Sequence, residues 1–278
     1  MTNFFGHNAI PSLPRSAQKI FLLVTDASSE ALQFVEAIED DEGLSGRILK
    51  IANSVYFNRG DSCESVVEAV ATIGTAELRN ILSASTLNDL FPSTHPIREA
   101  FWAHNLAVAS FSRELSAHLA PGSESEAYVA GLLHDVGKLL LLTVDPARYA
   151  QITEETGKTG EVCSTEEAAY PFNHTEVGHF IAREWKFSDA LITAIRNHHD
   201  PIQSLPPRSM SLIVRCADLL AHKLRIGFPR GYTVLQNNAS LKLTEAFERL
   251  QLTGDRGRDL TKKLEKNFQQ ESEILALC

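Results

Sequence analysis

Apolar residues recur along this chain at intervals of three and four, and no segment sustains the period-two alternation of a half-buried strand, so the pattern predicts an all-α fold. The periodicity starts after a Pro-containing tail ending near Pro14, and residues 1–16 are expected to be flexible. Ser28 and Ser29 are cap candidates for a helix bearing Leu32, Val35 and Ile38, which Asp40, Asp41 and Gly43 interrupt. Leu44, Ile48 and Ile51 mark the next stripe. A further helix carries Val66, Val67, Val70 and Ile73 and stops at Gly74, after which Thr75 fits as the N-cap of a helix bearing Leu78, Ile81 and Leu82. Two prolines and a Ser-Thr pair between Phe91 and Pro96 read as a linker. It divides an N-terminal helical subdomain, 17–95, from a second helical subdomain, 96–224. A Gly/Pro-rich turn from Gly227 to Gly231 introduces a C-terminal helical extension, 225–278, with no motif of its own.

The second subdomain interrupts its apolar faces with groups that carry chemistry. Phe101, Val108, Phe111 and Leu115 share one helix face, and His104, three residues after Phe101 and four before Val108, lies on the same stripe. A lone inward histidine is more often a hydrogen-bonded core residue than a ligand. His134 and Asp135 sit inside the apolar run Gly131 to Leu140, and Asp218 sits inside Leu212 to Leu220. A buried carboxylate without a counter-charge costs several kcal/mol, so each needs a cation or hydrogen-bond donors close by, and Arg215, one turn before Asp218, is the plain alternative to a metal there. His174 follows Asn173 at the start of a helix carrying Val177, Phe180 and Ile181. His198 and His199 close a helix that Ser188 caps, and a helix C-terminus alone does not call for two histidines. One metal accounts for four of these donors. Two metals, bridged by a carboxylate such as Asp135, account for all of His104, His134, Asp135, His174, His198, His199 and Asp218.

A formal net charge of -9 works against phosphate backbones and anionic lipid surfaces, so neither nucleic acid nor membrane is an expected partner. A hydrophobic fraction of 44 % and a charged fraction of 22 % are those of a globular chain. Cys63, Cys163, Cys216 and Cys278 show no C-x-x-C spacing, which suits a reducing cytoplasm better than a disulfide framework. No signal peptide and no run of about 18 apolar residues is read from the chain.

At these residues the chain resembles the HD superfamily of metal-dependent phosphohydrolases, whose ordered pattern of His, His-Asp and a distal Asp maps to His104, His134-Asp135 and Asp218. His174, His198 and His199 resemble the histidines that complete a second metal site in HD-GYP cyclic-di-nucleotide phosphodiesterases. Within the superfamily the match is to HDOD domains. It runs from about Ile20 to Asp218 through Ala52-Asn53-Ser54, Tyr56-Phe57, Ala69-Val70, Ile73-Gly74, Leu78-Arg79, Trp102, Gly131 to Lys138, Trp185 and His198-His199-Asp200-Pro201. The resemblance implies a multi-helix fold with an N-terminal helical subdomain packed on a metal-binding core, and a regulatory role in bacterial signalling. Asp200-Pro-Ile-Gln-Ser-Leu-Pro-Pro stands where the Gly-Tyr-Pro signature of a cyclic-di-GMP hydrolase should follow, so that activity is not among the expectations.

Two functions use the same ligands. In one, iron, manganese, nickel or zinc stiffens a module that binds a signalling protein or a phosphate-containing ligand. In the other, the metals activate water against a phosphoester while Asp135 bridges them and Lys138, one turn after His134, neutralises charge developing on phosphate. A metal-free polar core ranks last, because two buried carboxylates among five histidines are costly to satisfy without a cation. A closed coordination sphere would mark the first function and an open one the second.

Overall fold

The computed structural model describes residues 11–58, 60, 62–227 and 233–275, and among them it contains helices and no strand. The chain divides into two compact units, one built mainly of Ser12–Leu90 and the other of Phe91–Phe268. Residues 1–10 of the expected tail, 228–231 of the expected turn and Cys278 lie outside the described residues.

The smaller unit comprises α1 (Arg15–Thr25), α2 (Ala31–Glu39), α3 (Glu42–Ala52), α4 (Val66–Ile73) and α5 (Thr75–Leu90). Arg15 and Ser16, assigned to the tail from sequence, are the first residues of α1. The N-cap of α2 is Glu30 rather than Ser28 or Ser29, because Glu30 and Gln33 exchange side-chain and backbone hydrogen bonds in a capping box. Gly43 does not break the chain. Asp41 caps α3 by accepting from the Leu44 amide, and Gly43 falls within the first turn that follows. Thr75 is already helical, and the Gly74 carbonyl accepts from the Leu78 amide. Phe34, Ile38, Ile48, Ile51, Leu78 and Ile81 are fully buried. Buried Arg79 gathers the carbonyls of Leu23, Val24, Asp26 and Ser29, satisfying the end of α1 and the turn after it.

The larger unit comprises α6 (Ile97–Leu119), α7 (Glu124–Leu133), α8 (Val136–Val144), α9 (Pro146–Thr159), α10 (Val162–Ala169), α11 (His174–Glu184), α12 (Asp189–Asn197), a 3-10 turn (Ile202–Ser204), α13 (Met210–Lys223), α14 (Thr233–Arg249) and α15 (Gly254–Leu275), whose last turns fall in the other unit. Helix α6 packs along α7 and α13, α11 packs on α8 and α12, and α14 lies on α13 and α9. Asn173 begins α11 through a capping box with Glu176, and Ser188 and Ser209 cap α12 and α13, so polar residues fix three of the helix starts that carry the site.

The stretch Glu124–Val144 is apolar and long enough to cross a membrane by length and composition, which the sequence reading did not register. Within its most apolar 18-residue window 89 % of the residues are buried inside the protein, and the stretch is not one helix: His134 is the C-cap of α7 and Asp135 the N-cap of α8.

Two glycines bring the surrounding helices close enough to meet at that break. A Cβ on Gly131 would lie 2.6 Å from the Val108 carbonyl of α6, and one on Gly137 would lie 2.1 Å from the His174 carbonyl of α11. Alanine in an exposed helix interior gains about 1 kcal/mol over glycine, but overpacking against a rigid backbone costs about 1 to 3 kcal/mol or more, so the clash outweighs the propensity here. Gly137→Ala is therefore expected to lower the thermal midpoint by several degrees. An unchanged or raised midpoint would show that α8 and α11 separate freely.

Candidate metal centre

The break between α7 and α8 turns His134 and Asp135 toward one point, although adjacent residues within a continuous helix would diverge by about 100°. Around Asp135 stand the ends of α11 and α12. His134 Nε2 lies 3.4 Å from Asp135 Oδ2, and His174 Nε2 and His198 Nε2 lie 3.3 and 3.5 Å from Oδ1. The three histidines are fully buried and Asp135 nearly so.

Each of these rings is held by its other nitrogen. His134 Nδ1 donates to the Gly131 carbonyl (2.7 Å), His174 Nδ1 to the Glu166 carboxylate (2.7 Å) and His198 Nδ1 to the Ile195 carbonyl (2.9 Å). An oxygen with only lone pairs to offer places the proton on Nδ1, so in a neutral ring Nε2 is bare. Where the rings are neutral, three bare nitrogens thus converge on the Asp135 carboxylate, and His174 Nε2 and His198 Nε2 face each other at 3.4 Å. Buried His134 Nε2 and Asp135 Oδ1 make no hydrogen bond among the described residues. An acceptor cluster of this kind is resolved by a cation or by added protons, and second-nitrogen anchoring by carbonyls and a carboxylate is how metal-ligating histidines are oriented. The residues therefore fit a divalent metal.

A second group adjoins the first. Asp218 Oδ1 accepts from His104 Nε2 (3.2 Å) and His222 Nε2 (3.1 Å), Asp218 Oδ2 accepts from Arg215 Nη1 (3.0 Å), and His104 Nε2 lies 4.0 Å from Asp135 Oδ2. Donor atoms of Asp135, His174, His198 and His199 lie mutually within 4.8 Å, as do those of His104, His134 and Asp135, and those of His104, Asp218 and His222. All seven residues singled out from sequence thus lie in one region of the larger unit. His199 stands apart chemically: Arg215 Nη1 donates to its Nδ1 at 3.1 Å, which places the ring proton on Nε2 and occupies the lone pair a metal would use.

Lys138 is not the solvent-facing lysine that its sequence allows. It is 8 % exposed and donates to Asp135 Oδ2 at 2.6 Å. Its partner is Asp135, three residues back on α8, rather than His134, which belongs to the preceding helix. Arg215 does pair with Asp218, as the plain reading of that helix holds, without displacing the imidazoles from the other oxygen.

Two residues of the site were not read from sequence. His222 lies four residues after Asp218, a spacing that places both on one helix face and could have flagged it. Glu166 carries no spacing signal. It is fully buried, accepts from the amide and Nδ1 of His174 and from the Tyr149 hydroxyl, and so sets the orientation of His174 from α10.

The site opens into a cavity of about 130 Å³, which holds several waters or a small ligand. Lys138 and Arg215 line it together with His104, Asp135 and Asp218, and Phe101, Tyr149, Ile152 and Leu219 supply an apolar wall.

A model of the HDOD domain family matches residues 10–201. This chain belongs to the HDOD domain family. Asp218 and His222 lie past the matched stretch. An uncharacterised protein of Treponema pallidum (strain Nichols) is 26 % identical over 197 residues, covering 69 % of this chain, and the chain matches only 38 % of that protein's length. Among solved structures, a candidate phosphohydrolase from Shewanella amazonensis SB2B is 25 % identical with a TM-score of 0.72, over 96 % of this chain and 94 % of that one. An HDOD domain protein of unknown function from Geobacter sulfurreducens gives 0.75 at 23 % identity, over 97 % and 93 %. A candidate signal-transduction protein from Marinobacter aquaeolei VT8 gives 0.77 at 19 % identity, over 96 % of this chain and 59 % of that one. The last two share the HDOD fold with this chain.

Burial pushes His104 and His198 down to about 4 from 6.5, and desolvation with the neighbouring His198 and Arg215 holds His199 well below it. His134 is raised, because the Asp135 carboxylate more than offsets its burial. Burial pushes both carboxylates up, but His134 and Lys138 hold Asp135, and His222, His104 and Arg215 hold Asp218, well below the usual range. An imidazole whose folded value lies below its unfolded one binds fewer protons when folded, so its stabilisation is full above pH about 6.5 and is lost as pH falls toward 4. The carboxylates add their loss below about pH 4, and His134 works in the opposite sense. Three depressed histidines outweigh one raised, so the thermal midpoint of chelator-treated protein is expected to fall by about 5 °C or more between pH 7.5 and 4.5. A flat profile would show that these rings are not held neutral.

Proposed function

We propose that this HDOD protein is a cytoplasmic signalling protein that holds one or two divalent metals, drawn from iron, manganese, nickel and zinc, and responds to a phosphate-containing ligand. In this reading the response passes to a protein partner. The observation that carries the metal is the meeting of three Nδ1-anchored imidazoles, with their bare Nε2 atoms, at the Asp135 carboxylate. The nitrogen and oxygen donor set without thiolate suits all four metals.

The adjoining cavity favours a second reading, phosphoester hydrolysis, because a site that serves structure alone has no need of an open side. A divalent metal there would supply Lewis-acid polarisation and a nucleophile at neutral pH. Asp135 would hold it jointly with the imidazoles. Glu166 keeps His174 in the ligating tautomer, and Lys138 stands on the cavity wall as a cation for the charge that builds on phosphate oxygens.

Elemental analysis of the purified protein beside Asp135→Ala tests the site. Roughly one or two equivalents of transition metal per chain in the parent, lost in the variant, is the expected result. Absence of metal in both after anaerobic reconstitution would remove the metal reading. Lys138→Met separates the two functions: if the protein turns over phosphoesters, the variant should retain metal and lose turnover by about 10²-fold or more. Turnover that survives the substitution would withdraw the role from Lys138.

A further inference from the structure

We propose that Arg215 anchors the phosphoryl group of the ligand, moving onto it from Asp218 and His199 as metal enters. The inference deepens the metal-and-phosphate reading above and rests on it.

Arg215 is 6 % exposed and lines the cavity, and its guanidinium is only partly satisfied. Its Nη1 is shared between Asp218 Oδ2 and His199 Nδ1, while its Nε is buried with no partner among the described residues. A buried N–H without an acceptor costs about 1 to 3 kcal/mol, and Nε lies on a guanidinium edge that can meet two oxygens of an oxyanion at once.

The two acceptors that Arg215 occupies are atoms a metal would want. A metal held by Asp218 or His199 would compete with the guanidinium for that acceptor, and one held by both would free Arg215 Nη1. Charge then favours an incoming anion. Lys138 and Arg215 offset Asp135 and Asp218, and buried Glu166 leaves one further negative charge, so a divalent ion would bring two positive charges against that one and leave an excess for an anion to balance. A phosphoryl monoester, with close to two negative charges at neutral pH and three free oxygens, can meet Arg215, Lys138 and a metal together. A carboxylate has two oxygens and one charge. The apolar wall of Phe101, Tyr149, Ile152 and Leu219 would take a carbon-rich remainder. The ligand class is thus a small organic phosphomonoester whose body is apolar or aromatic.

By linkage, phosphate and metal must each raise the affinity of the other. The test is calorimetric titration of inorganic phosphate, with acetate in parallel, into wild type, Arg215→Lys and Arg215→Gln, each metal-loaded and chelator-treated, with metal content measured separately. Metal-loaded wild type should bind phosphate more tightly than the stripped form and more tightly than acetate. Both variants should lose about tenfold or more in phosphate affinity while keeping their metal, Arg215→Lys because it retains the charge but not the two-pronged edge. The lysine variant preserves a cation beside Asp218, so it guards against a fold lost through an unpaired carboxylate. Phosphate binding that neither substitution alters, acetate binding as tight as phosphate, or no phosphate binding by wild type in either form overturns the inference. Wild type that binds no metal overturns the metal reading and the proposed displacement together, whereas metal present with phosphate indifferent to Arg215 overturns only the inference.

Discussion

A buried carboxylate must be neutralised by something, and in the larger unit Asp135 imposes that constraint on the ends of four helices. The C-cap of α7, the first turn of α8, the start of α11 and the end of α12 each deliver a nitrogen to it. Only Lys138 brings a permanent charge. The three imidazoles are set by their own hydrogen bonds to face the carboxylate with lone pairs, an arrangement that gains nothing unless a cation or protons lie between them. Helix spacing, glycine placement and capping serve that one point: without close contact at Gly131 and Gly137, neither α6 nor α11 could bring its histidine within reach.

Asp218 shows a second solution to the same problem. It lies in the middle of a helix, where its oxygens are shared between two imidazoles and one guanidinium, so it is satisfied before any metal arrives. The two carboxylates are therefore unequal: acceptors crowd Asp135, and donors surround Asp218. A metal would relieve the first and compete with existing partners at the second. That asymmetry gives the cavity a side where binding is resisted and a basic side chain that must give way.

Much of this was legible in the sequence because burial periodicity and polar interruptions coincide. His104 on an apolar stripe, His134-Asp135 in an apolar run and the closing pair His198-His199 need only helical geometry to be placed. What was not legible depended on contacts between segments. The break at His134-Asp135 has neither Gly nor Pro at the two positions to announce it, and the imidazoles that gather around Asp135 there come from distant segments. Glu166 pairs with a histidine eight positions on, across the turn between α10 and α11, and no periodicity links them. Glu30 displaced Ser29 as a cap because its partner Gln33 completes a box, a reciprocal arrangement that a preference ranking of single residues does not capture.

The break between α7 and α8 also determines how far the most apolar part of the chain can reach. As one unbroken helix, Glu124–Val144 would be a rod of about 30 Å, equal to the hydrocarbon thickness of a bilayer. Divided at His134-Asp135, it becomes two rods of about 15 Å and 14 Å that fold against different neighbours, and neither can bridge that thickness. The dipeptide that turns its side chains to a common centre thereby removes a span from the very segment whose composition invites one.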